Sequence, residues 1–111
     1  SSRHKGLVFN KVLETIETIK GDSSRIDELG AMVDNYRDNA LQRLKSVLPR
    51  ISERDYRVAL YAFAGFSNRA IALFIDSDPV AVSKIKYNIK SKLKGVEAAD
   101  CEQLIALLSD K

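Results

Sequence analysis

Proline occurs at only two positions in this 111-residue chain, 49 and 79, and between the breakers apolar residues recur at helical spacing. With the glycines at 6, 21, 30, 65 and 95, these prolines cut the chain into segments that all read as helix. No stretch shows the strict alternation by which a strand buries one face. The expected fold class is therefore all-α.

A first helix is expected over 5–20, with Val8, Val12, Leu13, Ile16 and Ile19 on one side. Gly21-Asp22-Ser23-Ser24 breaks it and supplies an N-cap for a second helix over 25–48. The apolar positions of that helix, Ile26, Leu29, Val33, Tyr36, Ala40, Leu44 and Val47, step by 3, 4, 3, 4, 4 and 3. Such a seam is close to a heptad and suits either a coiled-coil-like dimer or a fold-back onto the rest of the chain. Pro49 ends it. Ser52-Glu53-Arg54-Asp55 has the form of a capping box opening a third helix to Ala64, which Gly65 closes in the left-handed region. Ser67 caps a short fourth helix to Ile75. Asp78 caps a fifth, with Pro79 at its first position, running to Lys94 and closed by Gly95. A last amphipathic helix over 97–109 carries Leu104, Ile105, Leu107 and Leu108. The expected organisation is a helical hairpin or coiled-coil-like extension over 1–48 followed by a unit of four helices over 49–111.

Composition removes several functional classes. A single cysteine, Cys101, excludes an intrachain disulfide framework and a cysteine-based zinc site, and it suits a reducing cytoplasm. The apolar runs are far shorter than a membrane span. The one histidine, His4, has no ligating or catalytic partner nearby in sequence, and no nucleophile–base set or glycine-rich phosphate loop is present. No enzyme, cofactor or metal is expected, and no small-molecule ligand. The only methionine is Met32, and we read the chain as a piece of a longer protein whose sensing domains precede it.

The formal charge of +3 is small, but it is unevenly placed. Residues 79–95 carry +5 with no acid, and 96–111 carry −3. The same region, 66–95, reads as a short helix, a turn of three residues and a longer helix, the spacing of a helix-turn-helix unit. In such a unit the second helix enters the major groove. Helical geometry places Val82, Ile85, Ile89 and Leu93 toward the core and Ser83, Lys84 and Tyr87 where side chains reach base edges. Lys86, Lys90 and Lys94 form an i, i+4, i+8 row suited to phosphates.

Three stretches then acquire a common meaning: Ile51-Ser52-Glu53-Arg54-Asp55, Ala64-Gly65-Phe66-Ser67-Asn68-Arg69-Ala70-Ile71-Ala72, and Val82 with Asn88-Ile89-Lys90-Ser91-Lys92-Leu93. They resemble the LuxR-type helix-turn-helix DNA-binding domain, which opens with Leu-Thr-x-Arg-Glu, continues through Gly-x-Ser-Asn-Lys-Glu-Ile-Ala and ends with Thr-Val and Asn-Ile-x-x-Lys-Leu. The resemblance covers 51–95. The stretch from Tyr36 to Ser67 looks like the C-terminal part of bacterial regulators in which helical sensor repeats and a coiled coil precede this domain. The resemblance implies a cytoplasmic transcription factor that binds double-stranded DNA as a homodimer. It also implies that Ser67, Asn68 and Arg69 lie against the DNA backbone and that Ser83, Lys84 and Tyr87 read bases. The sequence departs from the family pattern at Arg57, Ser77, Ala81, Ser83 and Ile85, so the fold carries over better than any base contact.

Blander roles account for the remaining features. Tyr56, Tyr61, Phe63, Phe66 and Phe74 have the spacing of core residues rather than of a base-stacking platform. Cys101 reads as a small packing residue, and the pair Asp27-Glu28 as part of a solvated face. The dimer surface is expected on helix 25–48 or on helix 97–109. Two other functions fit the same residues: a sigma-factor-like helix-turn-helix acting with RNA polymerase, and a helical interaction module that never touches DNA.

Overall fold

The computed structural model describes residues 26–96 and 101–109, so the helix expected over 5–20, the break at 21–24 and His4 lie outside the described residues. The described part is all-helical, with six helices and no strand: α1 (Ile26–Tyr36), α2 (Ala40–Val47), α3 (Glu53–Ala64), α4 (Asn68–Phe74), α5 (Pro79–Lys94) and α6 (Cys101–Ser109). None of these helices is long and apolar enough to cross a membrane.

The third of them organises the rest. Val58 to Ala64 is an unbroken apolar run, and all seven residues are buried, as expected of a helix surrounded by neighbours rather than lying on a surface. All five other helices pack against α3. One core cluster follows, running from Leu29 and Val33 of α1 through Leu60 and Phe63 of α3 and Ile89 and Leu93 of α5 to Leu104 and Leu108 of α6. The five aromatic residues from Tyr56 to Phe74 belong to this core or pack against it. Tyr61, Phe66 and Phe74 meet edge to face, with ring centroids 5.1–6.5 Å apart.

The helix expected over 25–48 is instead two helices. The chain turns at Arg37-Asp38-Asn39, where Asp38 (φ 57°) and Asn39 (φ 60°) both adopt the left-handed region, which aspartate and asparagine tolerate best after glycine. Asn39 lends no side-chain cap to α2, and the buried Asp34 does so from α1: its Oδ1 accepts the Leu41 N–H at 2.7 Å. Geometry explains why the turn is favoured. A straight helix over 25–48 would be roughly 36 Å long and α3 is only about 18 Å, so half of its apolar seam would overhang. Folded back, Leu29, Val33, Ala40 and Leu44 are all buried. The close approach also needs Gly30, where an added Cβ would lie 2.8 Å from the Tyr56 hydroxyl. Burial pushes that phenol above its ordinary pKa, and Asp34 and Asp27 act in the same direction.

The caps expected around the short helices are present. Ser52 Oγ accepts the Asp55 N–H at 3.1 Å, Ser67 Oγ accepts from Ala70 at 3.2 Å, and Asp78 Oδ1 accepts from Ala81 at 2.9 Å. At the end of α3, Gly65 (φ 103°) forms a Schellman motif: the Phe66 N–H reaches Tyr61 O and the Gly65 N–H reaches Ala62 O. The end of α4 has the same geometry with Asp76 (φ 58°) in the glycine position, the Ser77 N–H bonding Ala72 O at 2.8 Å. An L-residue there is strained, so Asp76→Gly should stabilise the protein by about 0.5–1 kcal/mol, read as a higher urea midpoint at unchanged m-value. A midpoint lowered by the substitution would show that the Asp76 side chain contributes more than its backbone strain costs.

Candidate nucleic-acid interface

The site is built on the pair α4–α5. Between Ile75 and Pro79 lie three residues, Asp76, Ser77 and Asp78, and α4 packs against α5 across that turn. The start of α3 also reaches it, since Arg54 Nη2 donates to Ser77 Oγ at 3.3 Å. Four aspects of the sequence fix the geometry locally: a seven-residue helix, a left-handed residue closing it, an aspartate cap and proline at the first position of the next helix.

Helix α5 has two opposed stripes. Val82, Lys86, Ile89 and Leu93 step by 4, 3 and 4 and are buried. On the other side, Val80, Ser83, Lys84, Tyr87, Ser91 and Lys94 are exposed. Ser83, Lys84 and Tyr87, the three residues expected to read bases, come together in one shallow open groove with Pro79 and Val80. Tyr87 is 67% exposed and Val80 66% exposed, although both are large and apolar for a solvated helix face. Val80 was not singled out from the sequence. Its signal was available, because it lies one turn before Lys84 on the same stripe.

The residues expected at phosphates separate into groups. Arg69 and Lys94 are exposed and Lys90 is partly exposed. Ser67 is exposed at the N-cap of α4, and a hydroxyl that accepts a cap bond still has a proton to donate. Asn68 is half-buried, with its Oδ1 shielded from solvent.

Lys86 does not belong to the row. It is only 3% exposed and occupies a core position between Val82 and Ile89. Ile85, expected to fill that place, is only partly buried beside it. Both 85 and 86 fit the helical period between Val82 and Ile89, by steps of 3 and 4 or of 4 and 3. The packed face of α5 passes through 86, and a lysine stem lines it. The remaining lysines still leave α5 without an acidic residue. Lys92 and Lys94 sit in its last turn, where the helix dipole alone favours cations, but Lys84 and Lys90 have no such explanation.

The two apolar stripes, one or the other of which was expected to offer a dimer surface, lie largely in the core, although Ile105 and Leu107 of α6 are only partly buried. Leu29, Val33, Ala40 and Leu44 are buried, as are Cys101, Leu104 and Leu108 of α6. Cys101 is thus a packing residue, as its sequence context implied. No protein-family model matches the chain, and neither a curated protein nor a solved structure matches it.

Proposed function

We propose that this chain is the DNA-binding part of a bacterial transcriptional regulator, of the LuxR type that its sequence resembles. Helix α5 lies in the major groove, and its exposed stripe faces the bases. Ser83, Lys84 and Tyr87 read base edges. Lys90 and Lys94 of α5, with Ser67, Asn68 and Arg69 at the start of α4, hold the phosphate strands. The observation that carries this reading is the division of α5 into a buried stripe and an exposed one. The exposed one gathers a hydroxyl, an ammonium and a phenol behind a short helix and a three-residue turn. Hydrogen-bonding groups of this kind at the N-terminal half of the second helix are what major-groove readout uses.

A homodimer on paired half-sites belongs to the proposal. The activity is control of transcription in the cytoplasm. The test is the salt dependence of binding to random duplex DNA. With Lys86 removed from the phosphate set, Arg69, Lys90 and Lys94 meet the backbone, and on random duplex, where Lys84 has no specific base to read, it joins them; with about four cations the slope of log K against log salt should be roughly −3 to −4. A flat response would overturn the DNA reading in favour of a helical protein-interaction module.

A further inference from the structure

The groove on α5 contains more apolar surface than general DNA binding requires. We infer that it selects thymine: Val80 and Tyr87 seat the C5-methyl groups of thymines on either side of the base contacted by Lys84. This inference rests on the DNA-binding reading and adds a base preference to it.

Val80, Lys84 and Tyr87 are spaced i, i+4 and i+7, so they form one line along the exposed stripe, with Ser83 beside it. Val80 offers only methyl groups and so can neither donate nor accept a hydrogen bond. In the major groove of unmodified B-form DNA the one apolar feature on a base edge is the thymine methyl, and apolar side chains are its partners. Pro79 at the first position of α5 adds apolar ring atoms and no N–H of its own to the Val80 end of the groove.

The same surface fits a protein partner poorly. The cores of protein interfaces are depleted of charge, and Lys84 stands between the two apolar side chains. A stable interface also needs on the order of 800 Å² from each partner, far more than five residues of one helix present. Duplex DNA removes both objections. It welcomes the lysine, through guanine O6 and N7 or through phosphate, and it needs only single methyl contacts from Val80 and Tyr87.

Substitution of deoxyuridine for thymidine removes the methyl and leaves every base-pairing and groove hydrogen bond in place. The probe is the tightest duplex selected from a random library by this chain, remade with deoxyuridine at each thymine in turn. One methyl withdrawn from an apolar contact should weaken binding about fourfold. At the position facing Val80, the Val80→Ala variant should bind the two duplexes within about 1.5-fold of each other, and Tyr87→Ala should do the same at the second position. Both side chains are exposed, so the variants should keep the helical circular dichroism of the parent. Tight binding unaffected by deoxyuridine would overturn the thymine assignment and leave the DNA reading standing. A deoxyuridine effect that persists in both variants would overturn the roles of Val80 and Tyr87. No binding to any duplex would overturn the assignment together with the reading beneath it.

Discussion

Reversing the charge of Lys84 and Lys90 together, Lys84→Glu with Lys90→Glu, should weaken binding to random duplex DNA on the order of 1,000-fold at low salt. Each substitution removes an attraction and adds a repulsion, and near a phosphate either is about 1 kcal/mol in water. Position on the helix separates these two residues from the other lysines. Lys92 and Lys94 complement the helix dipole, so their presence is accounted for without any ligand. Lys84 and Lys90 sit in mid-helix, and among the described residues neither has a salt bridge that would explain it. The slope of log K against log salt should fall from roughly −3.5 to about −2, since two counterion-releasing contacts are lost. Stability should change by less than about 0.5 kcal/mol, because Lys84 is exposed and Lys90 is partly so. Fluorescence anisotropy across a salt series, with a urea melt of the same sample, reads both quantities. An unchanged slope would show that neither Lys84 nor Lys90 meets phosphate.

How much of this was legible in the sequence depends on the range over which each signal acts. The caps at Ser52, Ser67 and Asp78, Pro79 at the first position of α5 and the left-handed Gly65 are decided within four residues, and the helices they bound lie where expected, to within a residue at the end of α4. The seam over 26–47 was legible as apolar, but its division was not. Whether Asp38 and Asn39 stay helical depends on the length of α3, which begins 14 residues after Asn39, and on the cap that Asp34 supplies across the turn. A local trace was present, since the step from Tyr36 to Ala40 to Leu44 departs from the 3, 4 alternation where the chain turns. The candidate site divided in the same way. Ser83, Lys84 and Tyr87 could be placed on one face by counting, whereas burial of Lys86 depended on which of two adjacent positions meets α3 and α4. Hydrophobicity favoured Ile85. Backbone geometry chose 86, because the side chain of a lysine is apolar over most of its length.

The position of Lys86 makes a second, opposite prediction about charge. Were Lys86 a phosphate contact, Lys86→Met would reduce the salt slope by about 0.9 and Lys86→Glu would act like Lys84→Glu. Because it is 3% exposed in the seam of Val82, Ile89 and Leu93, both outcomes should fail. Methionine matches the length and flexibility of the lysine stem, so Lys86→Met should leave the salt slope of DNA binding unchanged. Lys90→Met, one turn further on, should lower it by about one unit. Glutamate is shorter, and it would place a carboxylate where an ammonium and its surroundings have adapted to each other. Lys86→Glu should therefore destabilise the fold by about 3–5 kcal/mol, and the loss should appear in the urea midpoint before any DNA is added. That order of effects separates a core lysine from a surface one. A surface lysine changes the salt slope and leaves the melt alone, while a core lysine changes the melt and leaves the slope alone. If Lys86→Glu melts like the parent and Lys86→Met lowers the slope, then Lys86 faces the backbone, and the row with Lys90 and Lys94 that the sequence suggested is the one that DNA meets.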